Sequence, residues 1–372
     1  MPTTTPPRRI LVIKSRNIGD VLLTGPLLSA LKRHWPEASI TALVKAGTEA
    51  MLAHHPHVSE VLVFPQRERN ESGFAWAGRQ MRFLSGLRKE RFDLAINTTE
   101  GDRGAITAFL SGARQRIGLG KHENDKAWRR RLYSRVVLPP LGLRHTVIRN
   151  LDLLPRGVAG YHHVHLGFTG AHMARVKTLL DRAGWREGEA LVQVHPTSRW
   201  FFKCWQDRNM ARVIDHLQRE RGLRVVVTAA PDDRERGRLD AILALCETRP
   251  IDLGGQLSLE ETAALASLCR LFFGVDTAPM HMAAALDVPV VALFGPSGAF
   301  DWGPWPNGWD GAGTPYPRRN GIQRAGQHIV VQKDWDCVPC GRDGCEGGKR
   351  SRCLDELTAE EVLPLIDEAL TP

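Results

Sequence analysis

No stretch of this 372-residue chain approaches the roughly 20 consecutive apolar residues that a helix needs to span a bilayer. The first apolar run, Ile10 to Ile13, is too short for the core of a signal peptide, and Met1 to Arg9 before it is polar and proline-rich. Neither GxxxxGK[ST] nor GxGxxG occurs, which disfavours a P-loop and an ordinary NAD site. Acid is scarce at the start: Asp20 is the only acidic residue among the first 36. The expectation is a cytoplasmic protein that meets a membrane only from outside.

What is present fits a soluble globular protein. Hydrophobic residues at 42% and charged residues at 24% exclude a disordered or fibrous chain. The length exceeds what one core usually supports, so two domains are expected. The net charge of +9 is uneven. Residues 1–150 hold 25 Lys and Arg against 12 Asp and Glu, whereas residues 151–372 hold 25 against 29. The densest basic stretch runs from Arg103 to Arg149 and includes Arg114, Arg116, Lys121, Lys126, Arg129, Arg130, Arg131 and Arg135. A surplus confined to one half points to a polyanion as partner: nucleic acid, an anionic leaflet or a phosphorylated substrate. A solvated basic surface is the plainer alternative. Seven cysteines without an export signal read as reduced thiols.

Short β-branched runs alternate with helical patterns, and the series starts twice. Strands are expected at Arg9–Lys14, Ser39–Lys45, Glu60–Pro65 and Phe92–Asn97, with helices at Asp20–His34, Thr48–His55 and Phe74–Lys89. A second series has strands at Leu191–Pro196, Leu223–Ala230, Ile251–Leu253, Leu271–Val275 and Val288–Phe294. Its helices lie near Asp207–Glu220, Asp232–Cys246, Leu259–Leu268 and Ala278–Leu286. Such alternation makes parallel sheets covered on both faces. The expected domains are 1–170 and 188–355, joined by a Gly- and His-rich junction, with a closing helix in 356–372 that could return to the first domain. Ligands bind beyond the carboxyl ends of such strands, so the expected site is a cleft between the domains.

Three loops carry residues suited to chemistry there. The first strand runs into Lys14-Ser15-Arg16-Asn17-Ile18-Gly19-Asp20. A carboxylate opening a helix is often only a cap, but at this strand end Asp20 could take a proton from a sugar hydroxyl. The strand ending at His195 leads into Pro196-Thr197-Ser198-Arg199-Trp200-Phe201-Phe202-Lys203. Its hydroxyls, free N–H groups and cations suit a pyrophosphate, and the flanking aromatics would exclude water and strengthen them. Gly274-Val275-Asp276-Thr277-Ala278-Pro279-Met280-His281 again runs from strand to helix, where N–H groups near Thr277 and Ala278 could grip a phosphate. The turn Leu293–Gly298 follows at the same sheet edge.

These residues resemble glycosyltransferase family 9, the ADP-heptose:lipopolysaccharide heptosyltransferases, over nearly the whole chain. Ile10–Pro26 is similar to that family's N-terminal motif. Gly274–His281, Ala283-Ala284-Ala285 and Leu293-Phe294-Gly295 are similar to its C-terminal motif. Pro196–Arg199, Phe202–Trp205 and Trp302-Gly303-Pro304-Trp305 most resemble the heptosyltransferase III branch.

The resemblance implies an α/β GT-B fold, two doubly wound Rossmann-like domains facing an interdomain cleft. It implies inverting transfer of heptose from ADP-heptose to the phosphorylated inner core of lipopolysaccharide, with no cofactor required for catalysis. It makes Asp20 the catalytic base, and Lys203, Thr197, Ser198, Asp276, Thr277, Ala278 and His281 the donor contacts. The family usually has Gly where Ala278 stands. The ribose carboxylate is Asp232 or Asp233, left open. Lys14, Arg16, Arg114 and Arg116 are the acceptor candidates, and the anionic inner leaflet is a further partner that suits the basic half.

Cys337, Cys340, Cys345 and Cys353, spaced C-x₂-C-x₄-C-x₇-C, could hold structural zinc, the alternative being a cluster of surface thiols. Rival functions are a heptosyltransferase I or II type, a nucleotide-sugar epimerase of the same architecture and, in a different class, a basic nucleic-acid-binding protein. The last lacks any recognisable nucleic-acid module, so no nucleic acid is expected as partner.

Overall fold

A computed structural model describes residues 6–120 and 126–371; Lys121 of the basic stretch lies outside them. The chain divides into two compact units. Unit 1 comprises Met1–Gly142 with Thr146–Gly167, and unit 2 comprises Leu143–His145 with Phe168–Pro372.

Unit 1 is built from β1 (Arg9–Lys14), α1 (Ile18–Leu22), α2 (Gly25–His34), β2 (Ser39–Val44), α3 (Ala50–Ala53), β3 (Glu60–Val63) and α4 (Gly73–Lys89). It continues with β4 (Leu94–Asn97), α5 (Asp102–Leu110), β5 (Gln115–Leu119), α6 (Ala127–Arg131), β6 (Arg135–Val137) and α7 (Thr146–Leu151). The strands form one parallel sheet in the order β3-β2-β1-β4-β5-β6. β1 is central, and Ile10 to Lys14 are all buried, as a strand covered on both faces requires.

The single helix expected over Asp20–His34 is two. Pro26 has no N–H to close a turn and is tolerated only near a helix start, so α1 ends at Leu22 and α2 restarts at Gly25 with the proline in its first turn. The break leaves Asp20 on a helix of five residues, short enough to sit wholly at the sheet edge.

Unit 2 opens with α8 (Gly170–Arg182), then β7 (Leu191–His195), α9 (Asp207–Arg219), β8 (Arg224–Val227), α10 (Asp233–Leu243), β9 (Ile251–Asp252) and α11 (Leu259–Ala266). There follow β10 (Cys269–Val275), α12 (Ala278–Ala285), β11 (Val290–Leu293), α13 (Ala299–Trp302), β12 (Gln323–Ala325), β13 (His328–Val331), α14 (Arg352–Asp355) and α15 (Ala359–Leu370). The sheet order is β12-β13-β11-β10-β7-β8-β9, parallel except for the edge strand β12. The stretch read as a junction contains α8, which begins where the Thr169 side chain accepts from the His172 N–H.

The closing helix, whose return to the first domain was one possibility, packs as a core element of unit 2. Ala359, Val362, Leu365 and Ile366 of α15 are buried with Trp205, Ile214, Phe273 and Val331. The Trp205 indole N–H donates to the Leu357 carbonyl at 2.8 Å, fixing the approach to that helix. Gly274 in β10 is required by close approach: a Cβ there would lie 2.5 Å from the His195 carbonyl oxygen of neighbouring β7. Among the described residues, no helix is long and apolar enough to cross a membrane.

Candidate functional site

In each sheet the strand order reverses direction beside a central strand, β1 in unit 1 and β7 in unit 2, and doubly wound sheets take ligands at the carboxyl ends there. Unit 1 presents Asp20 at that end of β1. Its Oδ2 accepts from the Asn17 N–H at 3.3 Å, so part of the carboxylate does cap α1. Its Oδ1 lies 3.5 Å from Lys14 Nζ, which also donates to the Thr98 carbonyl at 3.3 Å. Burial lowers the Lys14 pKa; Asp20 works against this, and Arg149 and Arg16 push further down. Asp20, Arg16 and Arg149 thus all lie close enough to Lys14 to act on its charge. Ser15 is pinned by donating its N–H to Thr99 Oγ1 at 3.0 Å, which fixes the loop onto the end of β4.

Lys14 pairs with Asp20 and Arg16 acts on Lys14, but Arg114 and Arg116 lie elsewhere. Gln115 pairs with Leu94 and Leu94 with Ile10, so Arg114 and Arg116 belong to the amino-terminal end of β5, at the sheet edge opposite Asp20. The Arg116 guanidinium donates to the carbonyls of Leu132 and Ala113, each at 2.7 Å, and caps backbone there. Arg149, from α7, is the cation that sequence reasoning passed over. Only its place in the basic stretch hinted at it, because the fold brings it to β1 from 135 residues away.

Unit 2 carries the larger constellation. Lys203, at the end of a short helical turn after β7, donates to Asp276 Oδ2 at 2.6 Å, and the Ser297 hydroxyl donates to the same oxygen at 2.5 Å. Loops following β7, β10 and β11, three neighbouring strands, thereby meet on one carboxylate. Burial alone would raise the Asp276 pKa; Lys203, Ser297 and His281 outweigh it and hold the pKa below the ordinary value, keeping the carboxylate charged. Ser297 was visible in sequence only as part of a small-residue turn. Thr277 and Ala278 open α12, so their N–H groups have no acceptor within the helix.

Thr197 and Ser198 are both buried, and the Thr197 hydroxyl donates to Glu235 Oε2 at 2.8 Å. Ser198 Oγ accepts from the Trp200 N–H at 3.2 Å. Of the two candidate ribose carboxylates, Asp232 caps α10, its Oδ1 accepting from the N–H groups of Arg234 and Glu235 at 3.1 and 3.2 Å. Asp233, the next residue, is exposed. Glu235 was missed: it stands three residues past the cap with its carboxylate buried, a place that composition does not mark.

The zinc reading of the four clustered cysteines gains no support. Among the described residues no group of three or more His, Cys, Asp or Glu side chains is arranged to hold a metal ion. Cys353 is buried on α14, Cys345 is half-buried, and Cys337 and Cys340 face solvent. Burial, with the other three thiols nearby, pushes the Cys353 thiol up to about 12.

Two parallel-sheet Rossmann-like units with anion-suited loops at the strand ends define the GT-B class of glycosyltransferase. A crystal structure of a glycosyl transferase family 9 protein from Veillonella parvula matches with a TM-score of 0.77 at 22% identity, covering 98% of this chain and 97% of that one. The E. coli heptosyltransferase WaaC with ADP-2-deoxy-2-fluoro heptose matches at 0.63, also at 22% identity, with 97% and 99% covered. The description "Glycosyltransferase family 9 (heptosyltransferase)" matches residues 80–318. Lipopolysaccharide heptosyltransferase 3 of Escherichia coli is 32% identical over 84% of this chain and 92% of its own length. The chain belongs to glycosyltransferase family 9.

Proposed function

We propose that this protein transfers heptose, with inversion, from an ADP-heptose to the inner core of lipopolysaccharide, as an acceptor-specific enzyme of the heptosyltransferase 3 type. The observation that carries the reading is the alignment with the E. coli heptosyltransferase 3 across 84% of the chain, together with the Asp20 carboxylate at the β1 edge of unit 1. An acceptor hydroxyl attacks the anomeric carbon from the side opposite the departing ADP. Asp20 receives the hydroxyl proton as the new C–O bond forms and the bond to the ADP oxygen breaks. Charge accumulates on the diphosphate, and Lys203 with the opening N–H groups of α12 meets it. Asp233 is our choice for the ribose, since Asp232 is occupied as a cap. Lys14, Arg16 and Arg149 supply positive charge for acceptor phosphates. Asp276 holds Lys203 in place before the donor arrives.

The reading has the enzyme working in the cytoplasm on a lipid-anchored acceptor at the inner-membrane surface, which the basic surplus of residues 1–150 supports. Calorimetry with ADP-, UDP-, GDP- and CMP-sugars should show a clear preference for ADP-heptose, and transfer to a heptose-bearing core acceptor should follow. Equal binding of UDP-sugars, or free sugar released with no acceptor present, would instead favour another transferase or an epimerase.

A further inference from the structure

The crossovers from β3 to β4, β4 to β5 and β5 to β6 all run the same way across the unit 1 sheet, so right-handed connections lay α4, α5 and α6 side by side on one face. Their inner side chains, among them Leu87, Ala105 and Ala108, share a core with Leu11 and Ile13 of β1. Their outer side chains are unusual. Phe74 and Met81 of α4 are 93% and 67% exposed and stand seven residues apart, on one stripe two turns long. Ile106 and Phe109 of α5 and Trp128 of α6 are exposed as well. Every exposed large apolar side chain on a described helix of unit 1 belongs to these three helices. Scattered exposure would carry no meaning; concentration on one layer does.

The charge around these side chains is mostly basic, and the nearby acids are paired: Asp102 of α5 with Lys126 and Arg129, and Glu68 and Glu71 with Arg79. α4 has no acidic residue in its 17 positions and holds Arg79, Arg82, Arg88 and Lys89. α6 reads Ala-Trp-Arg-Arg-Arg, with Arg130 and Arg131 exposed. Aromatic and aliphatic side chains amid arginines form a surface that lies in the headgroup layer of an anionic bilayer. The orientation has a consequence. Each helix runs back from the carboxyl edge of a parallel sheet to start the next strand, so Phe74 and Trp128, both in first turns, lie toward the sheet edge that bears Asp20.

We propose that the outer face of α4, α5 and α6 docks on an anionic lipid bilayer, with Phe74 and Trp128 at the acyl boundary and the Asp20 edge turned toward the lipid surface. The proposal rests on the function above only in taking the acceptor to be lipid-anchored; docking itself needs no substrate. Co-sedimentation of the full chain with phosphatidylcholine vesicles, with and without phosphatidylglycerol, tests it. Binding should need phosphatidylglycerol and weaken steeply at high salt. The variant Phe74→Ser/Met81→Ser should partition about tenfold less, and Arg130→Glu/Arg131→Glu at least as much less, with unchanged thermal melting. The serine variant should keep wild-type transfer to a detergent-dispersed acceptor and lose it toward a vesicle-embedded one. Absence of wild-type binding to phosphatidylglycerol vesicles, or equal binding by both variants, overturns the proposal. So does a concentration-dependent dimer that the serine variant abolishes while vesicle binding stays unchanged, which would make a second copy the occupant. Vesicle binding as expected without any heptose transfer would sink the enzymatic reading and leave the docking face standing.

Discussion

Each unit carries one lysine–aspartate pair at the end of a central strand, and the two pairs are built in opposite senses. In unit 1 the lysine is the more deeply buried partner, Lys14 at 7% exposure against 13% for Asp20, and the pair is loose at 3.5 Å. In unit 2 the acid is buried, Asp276 at 6% against 23% for Lys203, and the contact is 2.6 Å. Lys14 divides its protons between Asp20 and the Thr98 carbonyl, whereas Asp276 draws donors from both Lys203 and Ser297. The more accessible member is thus a carboxylate in one unit and an ammonium in the other. A carboxylate can accept the proton of an attacking hydroxyl, and an ammonium can meet a leaving diphosphate. The buried member of each pair serves to hold and charge its partner.

The largest effect that division of labour predicts falls on Asp20→Asn, which keeps the shape and removes the base. Transfer should drop about 10²–10⁴-fold, with calorimetric affinity for ADP unchanged. Next comes Lys203→Met, which should lower kcat/KM about 10²–10³-fold and weaken ADP binding. That variant also leaves Asp276 buried without its cation, so a melting curve should show a loss of roughly 3 kcal/mol, which Asp276→Asn in the same chain should partly restore. If Asp20→Asn weakens ADP more than Lys203→Met does, the contrast between the pairs is wrong.

Much of this was legible before any coordinates. The alternation of β-branched runs with helical stretches located β1 to β4 and β7 to β11, because strands buried on both faces read as apolar runs. Asp20, Lys203 and Asp276 became candidates because each stands where such a run gives way to a polar loop. β5 and β6 were missed, since Gln115, Arg116 and Arg135 interrupt the apolar pattern near the edge of the sheet. The partners that finish the site were harder still. Arg149, Glu235 and Ser297 reach their places through tertiary contacts, and nothing local distinguishes a buried Glu235 from the solvated charges around it. Arg114 and Arg116 misled for a related reason: a strand reads the same from both ends, and only register told which edge they occupy.

A smaller effect should follow from Glu235, which sharpens the view of unit 2 as a preformed cradle. Its carboxylate takes the Thr197 hydroxyl and so ties the first turn of α10 to the loop that leads to Lys203. Glu235→Gln or Thr197→Val should raise KM for ADP-heptose about 10- to 150-fold, the value of one buried hydrogen bond to a charge, with kcat nearly unchanged. Thr197→Ser, which keeps the hydroxyl, should restore most of it. An equal fall in kcat would make the contact part of the chemical step rather than of positioning.

The smallest effect concerns acid stability, and it again divides the units. In unit 1 His55 is held down to about 3 by burial first and then by His165 and His57. His57 is lowered by burial, Arg33 and Lys32, and His165 by burial, His163 and His57. The rings touch edge to face, His163 and His165 at 4.5 Å between centroids and His55 and His165 at 5.5 Å. In unit 2 His195 is held down to about 4 by burial alone, beside the Thr228 hydroxyl at 2.9 Å. An unfolded imidazole titrates near about 6.5, so as pH falls the unfolded chain takes up protons first. The stability tied to neutral His55 and His195 is therefore complete above about pH 6.5 and is lost as pH falls toward their folded values. Calorimetry between pH 8 and pH 5 should show the unfolding midpoint dropping on the order of a few degrees. His55→Gln should flatten that dependence more than His195→Gln, because protonating one ring of a packed cluster also repels its neighbours. A midpoint that does not move across this range, or a stronger flattening by His195→Gln, would show that the cluster does not act as one titrating group.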